Sequence, residues 1–166
     1  MGDLGDLWNA MKDTVTVFEN HNSVDVGSYA FALPAGQHPG DLDWTHGSEQ
    51  QLEADTLEFT NRAKEWFGLS SGTKIRFGAI WTPGGTSRQH PGLFLANAHL
   101  YCVPEYQSAG VDFTVTGSFG EPLPRNNSAE LPCKIRIEKK QFYMSAGTWE
   151  YTGAIRGDGS GYFRQV

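Results

Sequence analysis

Positive charge is scarce in this chain: 13 Lys and Arg stand against 19 Asp and Glu in 166 residues, a formal net charge of −6. Binding a phosphate backbone needs clustered cations on one face, so this balance argues against a nucleic-acid partner. Cysteine is nearly missing. Its two copies, Cys102 and Cys133, fall inside strand-like runs and not at metal-ligand spacing, so they read as buried free thiols, with a cross-strand disulfide as the alternative. His99 and Cys102 form H-x-x-C, but zinc needs four converging ligands, and no metal or cofactor is expected. Long apolar runs are missing too, so no transmembrane segment is expected. Met1 to Asp13 has neither the basic start nor the apolar stretch of a signal peptide, and Asp6 stands where a myristoylation signal needs Ser or Thr. The expectation is a soluble protein, with extracellular or particle-associated locations both open. G-x-S-x-G, H-E-x-x-H, G-x-x-x-x-G-K-S/T and a GxGxxG between strand and helix are all absent. An enzyme therefore has no motif behind it here, although one His beside one carboxylate in a pocket needs none.

Glycine and aromatic residues are plentiful. The 20 glycines, with 5 Trp, 6 Tyr and 10 Phe, suit tight turns joining half-buried strands. Length and composition predict a single ordered domain over residues 1–166. Leu4, Leu7, Trp8 and Met11 fall at helical spacing and predict a short N-terminal helical turn. Residues 14–18 and 24–33 read as a β-hairpin across the turn-forming ENHNS run. A long loop, LPAGQHPGDLDWTHG, follows, and loops of that length commonly carry function. Residues 48–67 then show the signals of an amphipathic helix: Ser48 and Gln51 in capping-box positions, an apolar face of Leu52, Thr56, Phe59, Ala63 and Trp66, and Gly68 at the end. Strand-like runs recur at about 73–82, 93–103, 111–119, 133–143, 147–155 and 161–165. The expected fold is mainly β (α+β), an antiparallel β-sandwich or barrel of about eight strands with that one helix packed on it.

Charge is unevenly placed. Residues 1–124 carry 6 basic and 15 acidic side chains, a balance of −9, whereas residues 125–166 carry 7 basic and 4 acidic, a balance of +3. The run Lys134, Arg136, Lys139, Lys140 reads first as the solvated face of a strand, with Ile135 and Ile137 turned to the core. The asymmetry also permits a homo-oligomer in which an acidic N-terminal part meets a basic C-terminal part.

Candidate site residues come from the loops. Trp44 lies in the long loop, Trp81 precedes PGGTSRQHPG, and Tyr106 follows a strand-like run. Aromatic faces beside polar side chains are how sugar rings are gripped, so these three, with Asp41, Asp43 and His90, form the expected ligand-binding set. His38, Asp41, Asp43 and His46 read alternatively as divalent-ion ligands, or as a loop whose aspartates make local turns. The acid/base candidates His21, His90, His99, Glu105 and Asp112 have no spacing that predicts contact. Arg156-Gly157-Asp158 sits in IRGDGSGY, where Gly and Asp are also what a tight turn demands, and Asn126-Asn127-Ser128 is a formal glycosylation sequon. Gln37-His38-Pro39-Gly40 recurs as Gln89-His90-Pro91-Gly92, either as a duplicated loop or as coincidence of turn chemistry.

Three functions fit: a non-catalytic binding protein for a glycan or lipid head group, a structural subunit of a viral, phage or other repeating assembly, and a small-ligand enzyme or carrier with a pocket between sheet and helix near His99 or Tyr101. The first is the leading expectation.

Overall fold

Alternating apolar and polar residues give each strand two unlike faces, and in the computed structural model the apolar faces meet between two antiparallel sheets. The structure describes residues 14–18, 23–25, 30–45, 47–60, 72–106, 111–141 and 144–166. Its strands are β1 (Thr14–Phe18), β2 (Ser23–Asp25), β3 (Ala30–Ala32), β4 (Gln50–Thr60), β5 (Gly72–Gly85), β6 (Phe94–Tyr106), β7 (Val111–Phe119), β8 (Leu123–Arg125), β9 (Ser128–Gln141), β10 (Met144–Arg156) and β11 (Gly161–Gln165). The larger sheet runs β11-β10-β9-β7-β1-β2, with β8 paired on β9, and the smaller runs β3-β6-β5-β4. The sheets are stacked and not closed into a barrel. Among the described residues no helix is long and apolar enough to cross a membrane.

Period-two alternation sets the core. On β5, Ile75, Phe77, Ala79 and Trp81 point inward; on β6, Ala98, Leu100 and Cys102; on β7, Phe113, Val115 and Phe119; on β9, Leu131, Cys133, Ile135 and Ile137. Each large aliphatic or aromatic side chain buried there contributes about 1.5–3 kcal/mol. Both cysteines are buried free thiols, and burial pushes Cys133 up to about 12. A polar tie crosses the core: the Tyr151 hydroxyl of β10 donates to Asp55 Oδ2 of β4 at 2.7 Å, while its ring meets Phe77 edge-on at 4.9 Å. The outer face of β9 carries Lys134 and Arg136, as its alternation demands. Their charge is matched within the sheet: Arg136 lies 2.9 Å from Glu138 and 3.3 Å from Glu150, and Lys134 lies 3.9 Å from Glu150.

The helix expected over residues 48–67 is not formed. Residues 50–60 are β4, paired with β5 from Gln50↔Trp81 to Thr60↔Gly72, and residues 61–67 lie outside the described residues. Pairing with β5 overrides the local helix signals, and the core-facing apolar residues are Leu52, Ala54 and Leu57, only the first of which belongs to the expected helical face; the register shifts between Glu53 and Asp55, a β-bulge. Glu53 and Glu58 are exposed, and the bulge itself aims Asp55 at Tyr151. The N-terminal helical turn expected at residues 4–12 also lies outside the described residues. The expected hairpin is real at β1 and β2, but β3 joins the other sheet beside β6.

Candidate ligand-binding site

Three turns meet at one end of the sandwich. Asn126 and Asn127, with φ of 48° and 61°, form the two-residue turn between β8 and β9, the left-handed pair that a type I′ hairpin requires. The segment 86–93 between β5 and β6 docks on this hairpin: the Leu93 N–H donates to the Asn127 carbonyl at 2.9 Å, and the Ala129 N–H donates to the Leu93 carbonyl at 2.8 Å. The β10–β11 turn closes the frame. The Gly157 N–H donates to Ala129 O at 2.9 Å, Gly84 N–H donates to Gly157 O at 2.7 Å, and the Trp81 indole N–H donates to Arg156 O at 2.9 Å. A Cβ on residue 157 would sit 2.2 Å from the Leu93 carbonyl oxygen, so only glycine lets these turns approach.

Arg156-Gly157-Asp158 is therefore part of the frame. The Arg156 Nε donates to buried Glu130 at 2.7 Å, with Arg125 3.6 Å from the other carboxylate oxygen. Asp158 accepts from the Ser160 hydroxyl at 2.6 Å and the Ser160 N–H at 2.8 Å. The Ser160 hydroxyl is the main force holding the Asp158 carboxyl below its usual range, with nearby Arg156 assisting. Ser128, the third sequon position, is buried and its hydroxyl oxygen accepts from the Asp158 N–H at 3.0 Å.

Two concavities open on this frame. One, of about 870 Å³, is polar and is lined by Gln37, Asp41, Asp43, Thr86, Ser87, Arg88 and Gln89 among others. The second, of about 580 Å³, is mainly apolar, with Leu33, Pro34, Phe94, Pro122 and Leu123 in its walls and His90, Arg125 and Asn126 among its polar groups. The polar cavity is fastened across its width, because Ser87 donates its hydroxyl to Gln37 Oε1 at 2.7 Å and Asp43 and Thr86 exchange backbone hydrogen bonds at 2.9 Å.

The six residues expected to bind ligand are only partly brought together. Asp41 and Asp43 line the polar cavity and His90 lines the apolar one, but each aspartate also caps its own loop. Asp41 Oδ2 accepts from the His38 N–H at 2.8 Å, and Asp43 Oδ1 accepts from the N–H of Thr45 at 2.8 Å and from its hydroxyl. Trp44 is half-buried behind the cavity wall. Its N–H donates to Pro39 O at 2.7 Å, and its ring lies so close over Gly85 that any Cβ there would fall within 2.5 Å of it. Trp81 is 2% exposed and packs in the core, so it offers no face to a sugar. Tyr106 ends β6 at the strand's far end, about 40 Å along from the cavity residue Phe94.

Of the metal-ligand alternative, His46 lies outside the described residues, and among those described no group of three or more His, Cys, Asp or Glu is placed to hold a metal ion. His99 and Tyr101, set between inward-facing Ala98, Leu100 and Cys102, take the outward face of β6, and the helix meant to enclose a pocket with them is absent. The two QHPG segments do converge on this end, yet differ in shape: Pro39–Asp41 is a 3₁₀ turn, whereas Gly92 adopts a φ of 117°. Comparison with protein-family models, with curated proteins and with solved structures gave no match. Sequence reasoning passed over Gln37, Arg88, Gln89, Leu33, Phe94 and Leu123. Their signal was positional, since all flank the two Pro/Gly-rich loops or the β8–β9 turn.

Proposed function

We propose that this chain is a non-catalytic β-sandwich binding module whose ligand is a glycan, held in the polar cavity at the loop end. The observation that carries the reading is the composition of that cavity: amides of Gln37 and Gln89, hydroxyls of Thr86 and Ser87, carboxylates of Asp41 and Asp43 and the guanidinium of Arg88 surround one space of about 870 Å³. Such a mixture of donors and acceptors, with both signs of charge, suits the hydroxyls of a neutral sugar. A lipid phosphate is a poorer fit, because two carboxylates would face it. The aspartates serve as loop caps in this reading, which supports binding over acid/base chemistry. The basic run of β9 gives a salt-dependent assembly less support, since Arg136 already pairs with Glu138 and Glu150, and Lys134 with Glu150.

A glycan screen tests this, followed by titration of the best ligand into Arg88→Ala and Gln89→Ala, both exposed positions. Each variant should bind at least tenfold more weakly than the parent, about 1.4 kcal/mol, at an unchanged melting temperature. Equal affinity in the variants would move the site elsewhere.

A further inference from the structure

The polar and apolar cavities adjoin along two segments of the chain. Ala35 lines the apolar side and Gly36 the polar side, while on the opposite wall His90 lines the apolar side and Gln89 the polar side. On both walls the change of character takes one peptide step, a Cα spacing of 3.8 Å. Leu93 ties segment 86–93, whose first residues line the polar side, to the β8–β9 hairpin that lines the apolar side. Leu123 remains 53% exposed at that side, an aliphatic side chain facing open space where a ligand would cover it.

We infer that the two cavities form one trough and that its preferred ligand is a sugar carrying an apolar substituent, an aryl, alkyl or acyl group, with the sugar in the polar cavity and the substituent against Leu33, Pro34, Phe94, Pro122 and Leu123. This rests on the glycan reading and adds ligand class and orientation to it. The two halves divide the work: the polar cavity pairs with hydroxyls and fixes register, and the apolar side adds affinity by removing the substituent and Leu123 from water. Of the polar groups lining the apolar side, His90 follows Gln89 of the polar wall directly, so a linking ester, amide or glycosidic oxygen would pass beside it.

The test compares methyl with p-nitrophenyl glycosides of glucose, galactose, mannose, N-acetylglucosamine and fucose, titrated into isotopically labelled protein and followed by amide NMR shifts. For the sugar that binds, the p-nitrophenyl form should bind about tenfold or more tightly than the methyl form, and its additional shifts should fall on residues 33–35 and 122–129. Leu123→Asp, a change at an exposed position that leaves the core intact, should cancel the gain while methyl-glycoside affinity stays as in the parent. Equal affinity for the two forms would overturn the inference and leave the glycan reading standing. So would a gain that persists in Leu123→Asp, since the substituent would then lie elsewhere. Arg88→Ala separates the two claims: loss of both forms supports the shared trough, whereas loss of the methyl form alone would mean two unconnected sites. If neither form of any sugar shifts the loop-end amides, the glycan reading fails and takes the inference with it.

Discussion

Trp81 and Trp44 carry the same ring and do opposite work. Trp81 follows Ile75, Phe77 and Ala79 in strict alternation, so its inward direction was legible from the strand period, had that outweighed its position next to a Pro-Gly turn. Trp44 has no such phase, and only the structure reveals that it lies on Gly85. Trp81→Ala should cost about 3–5 kcal/mol in urea denaturation, from lost packing and an unpaired Arg156 carbonyl. Trp44→Ala should cost about 1 kcal/mol and weaken ligand binding by loosening residues 39–44. A Trp81 variant as stable as the parent would contradict its place in the core. Glu130→Ala removes the partner of Arg156 and should cost about 2 kcal/mol, read from the same curves. Buried Glu130 could not be foreseen from sequence, because its neighbours Arg125 and Arg156 come from different turns.

At the scale of elements, strands with unbroken alternation and clear turn signals were legible: β7 and β11 fall at the expected residues 111–119 and 161–165. β8 escaped because three exposed residues give no period, and its partner β9 begins at Ser128, five residues before the expected 133. β4 was misread because local signals, the capping residues Ser48 and Gln51 and residues at helical spacing after Leu52, outweighed a strand period interrupted by the bulge between Glu53 and Asp55. Local preference there opposes tertiary pairing with β5. A synthetic peptide of residues 48–67 should accordingly give a helical circular-dichroism spectrum in trifluoroethanol, while the intact protein gives a β spectrum. A peptide with no helical tendency would remove this explanation.

For the whole molecule, the buried acids set the alkaline limit. Burial raises Cys133 from its ordinary 9.0 to about 12, and burial followed by the hydrogen bond to Asp55 raises Tyr151 above its ordinary 10.0. A raised folded-state value means the native protein holds the proton that the unfolded chain has released. The stability from each group is therefore complete below its ordinary value and is lost as pH rises above it, from about pH 9 for Cys133 and pH 10 for Tyr151. Urea midpoints should fall steeply above pH 9, and Cys133→Ala should flatten the fall by up to about 1.4 kcal/mol per pH unit. Iodoacetamide at pH 8 should label neither thiol in the native protein and both in urea. The cavity-bearing end was the part of the molecule least legible in sequence, because its frame joins Trp81 and Gly84 to Arg156 and Gly157, and Leu93 to Asn127 and Ala129.

That frame also orders events in time. The residues lining the two cavities are all translated by position 129, before the turn that braces them, Arg156 to Ser160. A released chain truncated before it would carry every cavity-lining residue without the brace that sets their spacing. On the proposed glycan reading, ligand capture would require translation to have run past Gly157, and products terminated before it should fail to compete with the longer chain for ligand.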